Sequence, residues 1–237
     1  MSPAGELAGF LRRLEAFNAE RQDNHRNVLE RGLQRISAAL PRLLREAEAY
    51  EARVSPRFNI YRILRLERKE VLVHTPMLAE LLNPGGTHGQ GFLFLKSFLL
   101  MLEGHGLKLF SATAEEHQWF VESEKPTYSH GNLDVLITCP RLGYLMVIEN
   151  KIGAQEREDQ IWDYWCWMRK RIQQFPHQSL IFLTPDGREA QTAQVAEYTS
   201  LSYHADICSW LENIIPQVKS PPVKETICQY LQIIEYC

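Results

Sequence analysis

Asp134, Glu149 and Lys151 are the residues of this chain whose types and spacing could do hydrolytic chemistry. Leu133 to Cys139 and Tyr144 to Ile148 read as β-rich runs joined by Pro140-Arg141-Leu142-Gly143. A tight hairpin centred between Arg141 and Leu142 pairs residues whose numbers sum to 283, which sets Asp134 opposite Glu149. Side chains alternate along a strand, so Lys151 projects on the face of Glu149 while Asn150 points away. Two adjacent carboxylates repel unless a cation lies between them, and hard oxygen donors suit Mg²⁺ or Mn²⁺ better than zinc. Such an ion polarises a phosphodiester and acidifies a bound water, and a neighbouring lysine orients or deprotonates that water or offsets charge developing on the phosphate.

Glu-x-Lys after a strand is a weak signal by itself, because surface ion-pair clusters use the same residues. Two features favour a site. The run Tyr144-Leu145-Met146-Val147-Ile148 leads straight into the charged triplet, which puts the charges at the exit of a buried strand. Gln160 and Tyr164 lie one helical turn apart on the next element, where both can face one cleft.

The elements that must hold these groups follow from periodicity and punctuation. Leu7, Phe10, Leu11, Leu14 and Phe17 recur at helical intervals, and Val28, Leu29, Leu33, Ile36, Leu40, Leu43 and Leu44 form a second apolar stripe. Pro41 marks a break or a fresh first turn, so the expectation is an N-terminal helical hairpin packed on the core. A coiled coil through which a partner or a second copy binds needs more sustained heptads than these. Thr75-Pro76 reads as an N-cap opening a helix that ends at Asn83-Pro84, and Phe92 to Glu103 is a further apolar helix. The glycine-rich stretch between them lacks the Gly-Lys-Ser/Thr of a phosphate loop and reads as a turn. Trp119 to Glu122 precedes the hairpin as a first strand. Glu156 to about Gln174 is a crossover helix, Ser179 to Leu183 a buried strand, and a short strand near Tyr198 precedes closing helices over Ala205 to Ile215 and Val223 to Tyr236. This order is an α/β unit with a mixed sheet.

Composition limits the function classes. With 45% apolar and 23% charged residues over 237 positions, the chain can fill a core and is not disordered as a whole. No apolar run approaches the roughly 20 residues of a membrane span. Glu6, Arg12, Arg13 and Glu15 interrupt any secretory apolar region, so the chain is expected to start here and stay in the cytoplasm. Five scattered cysteines, Cys139, Cys166, Cys208, Cys228 and Cys237, make no zinc module and suit reduced, packed thiols. A net charge of -3 offers no global polycation, so a polyanion would have to be met locally. Arg57, Arg62, Arg65, Arg68 and Lys69 form one basic stretch and Arg169-Lys170-Arg171 another. His88, His130 and His204 are not needed for this chemistry, and Trp162, Trp165 and Trp167 read as core.

Gly131-Asn132-Leu133-Asp134-Val135-Leu136-Ile137, Val147-Ile148-Glu149-Asn150-Lys151-Ile152-Gly153-Ala154 and Asp159-Gln160-Ile161-Trp162-Asp163-Tyr164 together resemble the PD-(D/E)XK nuclease superfamily. The likeness is to its bacterial branch with an ENKI-x-A signature. His74 to Pro84 with Thr87-His88-Gly89, Phe182 to Gly187 and Leu201-Ser202-Tyr203 extend it. The resemblance implies a restriction-endonuclease-like αβββαβ core over residues 58–237, with residues 1–57 as a helical extension. It implies Asp134 and Glu149 as ligands of Mg²⁺ or Mn²⁺, Lys151 as the catalytic lysine and Gln160 as support. An upstream glutamate often completes the metal shell; Glu70 is the first choice and Glu80 the second, with Glu122 and Glu124 further options. Leu133 stands where the superfamily motif has proline. The implied activity is metal-dependent phosphodiester hydrolysis, of DNA first, in bacterial defence or DNA processing. The alternative is a catalytically silent nucleic-acid-binding or scaffold protein that keeps the fold and engages a partner, or a second copy, through its N-terminal helices.

Overall fold

The computed structural model describes residues 3–128 and 130–235, and along the first helix it describes most side chains only from residue 26 onward. The chain divides into two compact units, Met1–Phe58 and Asn59–Cys237. The first unit is one helix, α1 (Pro3–Val54). This corrects the expected hairpin: Pro41 lies inside the helix and does not end it. Proline removes one backbone donor and crowds the carbonyl four residues back, at a cost of about 3 kcal/mol. The strong helix formers on both sides, Ala38-Ala39-Leu40 and Arg42-Leu43-Leu44-Arg45-Glu46-Ala47, carry the helix through it. It ends where Ser55 turns left-handed (φ 45°) ahead of Pro56. The side chains of Leu7, Phe10, Leu11 and Leu14 lie outside the described residues.

The second unit opens with a short helix, α2 (Ile60–Ile63), capped by Asn59, whose side-chain oxygen accepts from the backbone N–H groups of Tyr61 and Arg62. A π-helical turn, Glu70–His74, then runs directly into α3 (Thr75–Leu82). Thr75 is therefore already helical and makes no capping bond, contrary to its expected role. α4 (Leu93–Gly104) follows. Five strands form one sheet in the order β1 (Phe120–Pro126), β2 (Asn132–Cys139), β3 (Tyr144–Asn150), β4 (His177–Thr184), β5 (Thr199–Ser202). The first three are antiparallel neighbours and the last three parallel. Helix α5 (Gln160–Arg169) makes the crossover from β3 to β4, and α6 (Cys208–Ile214) and α7 (Pro221–Ile234) close the chain. α5 starts later than expected because Asp159 is left-handed (φ 56°) and cannot continue a helix.

The β2–β3 ladder runs from Cys139–Tyr144 to Val135–Ile148, the register the four-residue turn dictates. Gly143 sets that turn: it is left-handed (φ 60°), and a Cβ there would come 2.8 Å from Pro176 Cδ. All seven residues of β3 are buried, as befits a central strand covered on both faces. Alternate residues Tyr144, Met146 and Ile148 join the core built with α3, α4, α6 and α7, whereas Leu145 and Val147 pack with Ile161, Tyr164 and Met168 of α5. Trp167 belongs to that second core, and Trp162 and Trp165 stack on each other at its margin, with ring centroids 5.0 Å apart.

Among the described residues no helix is long and apolar enough to cross a membrane. Cys139, Cys166, Cys208 and Cys228 are free thiols, and Cys237 lies outside the described residues.

Candidate active site

The pairing that stops at Val135–Ile148 leaves Asp134 and Glu149 facing each other just past the last rung. Glu149, Asp134 and Lys151 are 0%, 8% and 9% exposed, so all three charges are largely withdrawn from water. Lys151 Nζ lies 2.7 Å from Glu149 Oε1 and 3.6 Å from Glu70 Oε1. Asp134 Oδ2 accepts from the Asn150 backbone N–H at 2.7 Å. Glu70 Oε2 accepts from the Ile152 N–H at 2.7 Å, which brings the π-helical turn against the end of β3. π-Helical turns are rare overall but frequent at functional sites, and this one opens the helical segment with Glu70 as its first residue.

Gln160, at the first turn of α5, donates to Glu149 Oε1 (2.6 Å) and to Tyr164 Oη (3.2 Å), and its own carbonyl accepts from Arg157 N–H. Tyr164 Oη in turn donates to the Asn132 carbonyl at 2.7 Å. One oxygen of Glu149 is thus held by an amide and an ammonium. The other, Oε2, is buried with no hydrogen-bond partner among the described residues. A buried carboxylate oxygen without a donor is costly and calls for a cation or a proton.

The remaining acidic residues separate clearly. Glu80 accepts from Thr87 Oγ1 and the His88 N–H, so it braces the glycine-rich turn and takes no part in the cluster. Glu122 makes an exposed ion pair with Lys125. Glu124 is different: it is left-handed (φ 52°), and the β1–β2 ladder skips from Ser123–Val135 to Lys125–Leu133, omitting the rung Glu124 would share with Asp134. Its Oε1 is also buried without a partner, and its charge acts on Asp134. Strain at a non-glycine residue beside a functional group is a common signature of sites.

Electrostatics follow from this crowding. Burial, with the charges of Glu70 and Glu124 adding to it, pushes Asp134 up to about 6 despite the Asn150 N–H and Lys151. Burial, followed by the Asp134 charge, raises Glu149 well above the carboxylate range. Burial opposes the charge on Lys151, but Glu149, Glu70 and Asp134 outweigh it and hold the ammonium above its ordinary value. The cluster has more acid than its one lysine can neutralise.

Sequence reasoning did not reach the clamp behind the site. Asn150, fully buried, donates to Thr75 Oγ1 (3.1 Å) and accepts from Tyr203 Oη (2.9 Å). It thereby ties β3 to the start of α3 and to the segment after β5. One residue earlier, the His74 ring closes the turn that carries Glu70. Its Nε2 lies 2.8 Å from the Glu67 carbonyl, which can only accept, so Nδ1 accepts from Tyr230 O–H at 3.0 Å. Burial lowers His74 to about 4, so the ring is neutral, as this bonding requires. No spacing rule links residues 75, 150 and 203, and the only signal in the sequence was polar groups inside apolar surroundings. Replacement of Asn150 by alanine is expected to remove both clamp bonds and cost about 2–3 kcal/mol. That lowers the melting temperature by roughly 5–10 °C for a domain of this size, readable by calorimetry.

A helix, a three-stranded meander, a crossover helix and a parallel strand, with acidic and basic side chains gathered at the end of the central hairpin, define a restriction-endonuclease-like α/β protein. The model of the PD-(D/E)XK nuclease superfamily matches residues 58–232, and the chain belongs to that superfamily. Searches of the curated proteins and of the solved structures found no match.

Proposed function

We propose that this protein is a divalent-metal-dependent nuclease that hydrolyses phosphodiester bonds of DNA. The family and one observation support this: the fully buried Glu149 offers an orphaned carboxylate oxygen beside buried Asp134, with Lys151 at 2.7 Å. The donor set is all oxygen, which fits Mg²⁺ or Mn²⁺. Among the described residues no group of three or more His, Cys, Asp or Glu side chains is already gathered in ligand geometry, so the holders would be Asp134 and Glu149, with Glu70 next in reach. When bound, the ion supplies Lewis acidity to the phosphodiester and a more acidic water.

The chain's own groups prepare that site. Gln160 and Lys151 fix one oxygen of Glu149 and leave the other free, and the Asn150 and Ile152 N–H groups fix Asp134 and Glu70. Lys151, whose ammonium is favoured by Glu149, Glu70 and Asp134, is placed to steady charge developing on the phosphate oxygens.

The basic rim is the stretch next to Glu70. Arg62, Arg65, Arg68 and Lys69 are exposed and, with Glu67, line an open groove. The other stretch is engaged in structure: the Arg171 guanidinium lies 3.6 Å over the Trp167 ring and donates to the Trp167 carbonyl, and Arg169 lies over Trp165. Joint replacement of Arg65 and Arg68 by alanine is expected to weaken DNA binding and reduce the slope of log affinity against log salt by about 1 to 2. Fluorescence anisotropy over a NaCl series in EDTA measures it.

The deciding experiment incubates the protein with plasmid, linear duplex, single-stranded DNA and RNA under Mg²⁺, Mn²⁺ or EDTA. Cleavage with a divalent ion and none in EDTA is the expected result. Binding without turnover under every ion would leave the silent nucleic-acid-binding module in its place. Defence against foreign DNA or DNA processing is the setting we propose, on the strength of the family alone.

A further inference from the structure

Because α1 passes through Pro41 unbroken, its apolar stripe is longer than a hairpin would make it. Leu29, Leu33, Ile36, Leu40, Leu43, Ala47, Tyr50 and Val54 alternate at intervals of four and three residues without exception. That is a seven-residue repeat carried over more than three heptads, the length a coiled-coil seam requires. Pro41 follows a seam position and points off the seam, so its missing donor does not interrupt it. Apart from Ala47, the seam side chains are 47–65% exposed, and Ala47 is exposed too. Among the described residues α1 is the only helix of its unit, and a lone helix cannot cover its own stripe.

The repeat and its length indicate what covers it. A straight helix drifts by about 20° per heptad from a strict seven-residue repeat, so the seam stays in contact only with a partner that supercoils with it. A second copy of the chain has that repeat by construction. The seam runs about 38 Å at 1.5 Å per residue, whereas the longest described helix of the second unit, α7 with 14 residues, reaches only about 21 Å. Eight half-exposed apolar side chains offer on the order of 700–800 Å² per chain, close to the roughly 800 Å² per partner of a stable interface.

We infer that Leu29 to Val54 of α1 pair with the same segment of a second copy, so that the protein is a dimer held by an N-terminal coiled coil. The test is sedimentation of the full chain across concentration. The expected result is a mass of two chains of 27.5 kDa each at micromolar concentration. Joint replacement of Leu33 and Leu40 by glutamate raises the dissociation constant at least about 100-fold. Arg31→Glu with Arg45→Glu, on the outer face, leaves the dimer intact. A monomer at about 100 µM overturns the inference, as does a dimer indifferent to the Leu33 and Leu40 substitutions. Near-ultraviolet circular dichroism of the seam variant shows that the second unit stays folded. Mass is read without turnover, so this inference and the nuclease reading fail independently.

Discussion

Replacing Lys151 with alanine is expected to lower the rate of DNA cleavage by about 10³-fold or more while leaving substrate affinity nearly unchanged. The ammonium sits 2.7 Å from the carboxylate expected to hold the metal, and its charge counts most where phosphate charge develops. Loss of a protonated donor that acts only in the transition state falls on kcat and not on KM. Cutting one partner from a buried ion pair usually costs about 3–5 kcal/mol, because the other charge is left stranded. Glu149 limits that cost by taking up a proton once the ammonium is gone, the form that burial favours. The variant is therefore expected to fold, with a near-native circular dichroism spectrum and kcat reduced in Mg²⁺ and Mn²⁺ alike. A Glu80→Gln control, which touches only the glycine-rich turn, is expected to cleave at the parent rate. Unreduced cleavage by the Lys151 variant would remove this lysine from the mechanism.

The parts of the fold readable in the sequence are those governed by short-range rules. A four-residue turn with a left-handed glycine sets the β2–β3 register, and strand alternation then places Glu149 and Lys151 on one face and Asn150 on the other. The crossover helix was legible from its apolar period, but its start was not, because the left-handed Asp159 has no signature separating it from a first helical turn. Pro41 alone signals a break, but its flanks override it: propensity summed over many good helix formers exceeds one interior proline. The choice between Glu70 and Glu80 was beyond local reasoning. Glu80 sits in the regular helix, whereas Glu70 reaches the cluster only through a π-helical turn closed by His74, Tyr230 and the Glu67 carbonyl. The Tyr230 contact crosses 156 residues, and nothing in a window of ten reports it. Glu124 stands among the options in the sequence but cannot be told from Glu122 there, since alternation makes either a solvated strand residue and it is the left-handed backbone at 124 that sets it apart.

Asp134→Asn is expected to make the metal-free protein more stable while destroying its activity. Asp134 stands at about 6 in the folded protein, against an ordinary 3.8, chiefly through burial. A carboxyl whose folded pKa is raised binds more protons folded than unfolded, so its contribution is fully present below about pH 4 and is lost as pH rises through about 6. The loss is on the order of 3 kcal/mol at neutral pH, an upper bound because Glu149 and Asp134 titrate together and one can keep a proton for both. Glu149, shifted in the same direction, extends the loss to higher pH. Lys151, raised from an already high value, stays charged throughout this range and contributes no slope. In EDTA the melting temperature of the parent protein is therefore expected to fall between pH 5 and pH 8 by several degrees, and that of the asparagine variant to fall less. Addition of Mg²⁺ or Mn²⁺ at pH 8 is expected to restore the parent and do little for the variant, because the ion replaces the proton only where both carboxylates remain. Thermal melts with and without metal, at both pH values, read all of this without a nucleic-acid substrate. A parent protein indifferent to pH and metal would mean that the buried acids are not the repelling pair their surroundings make them.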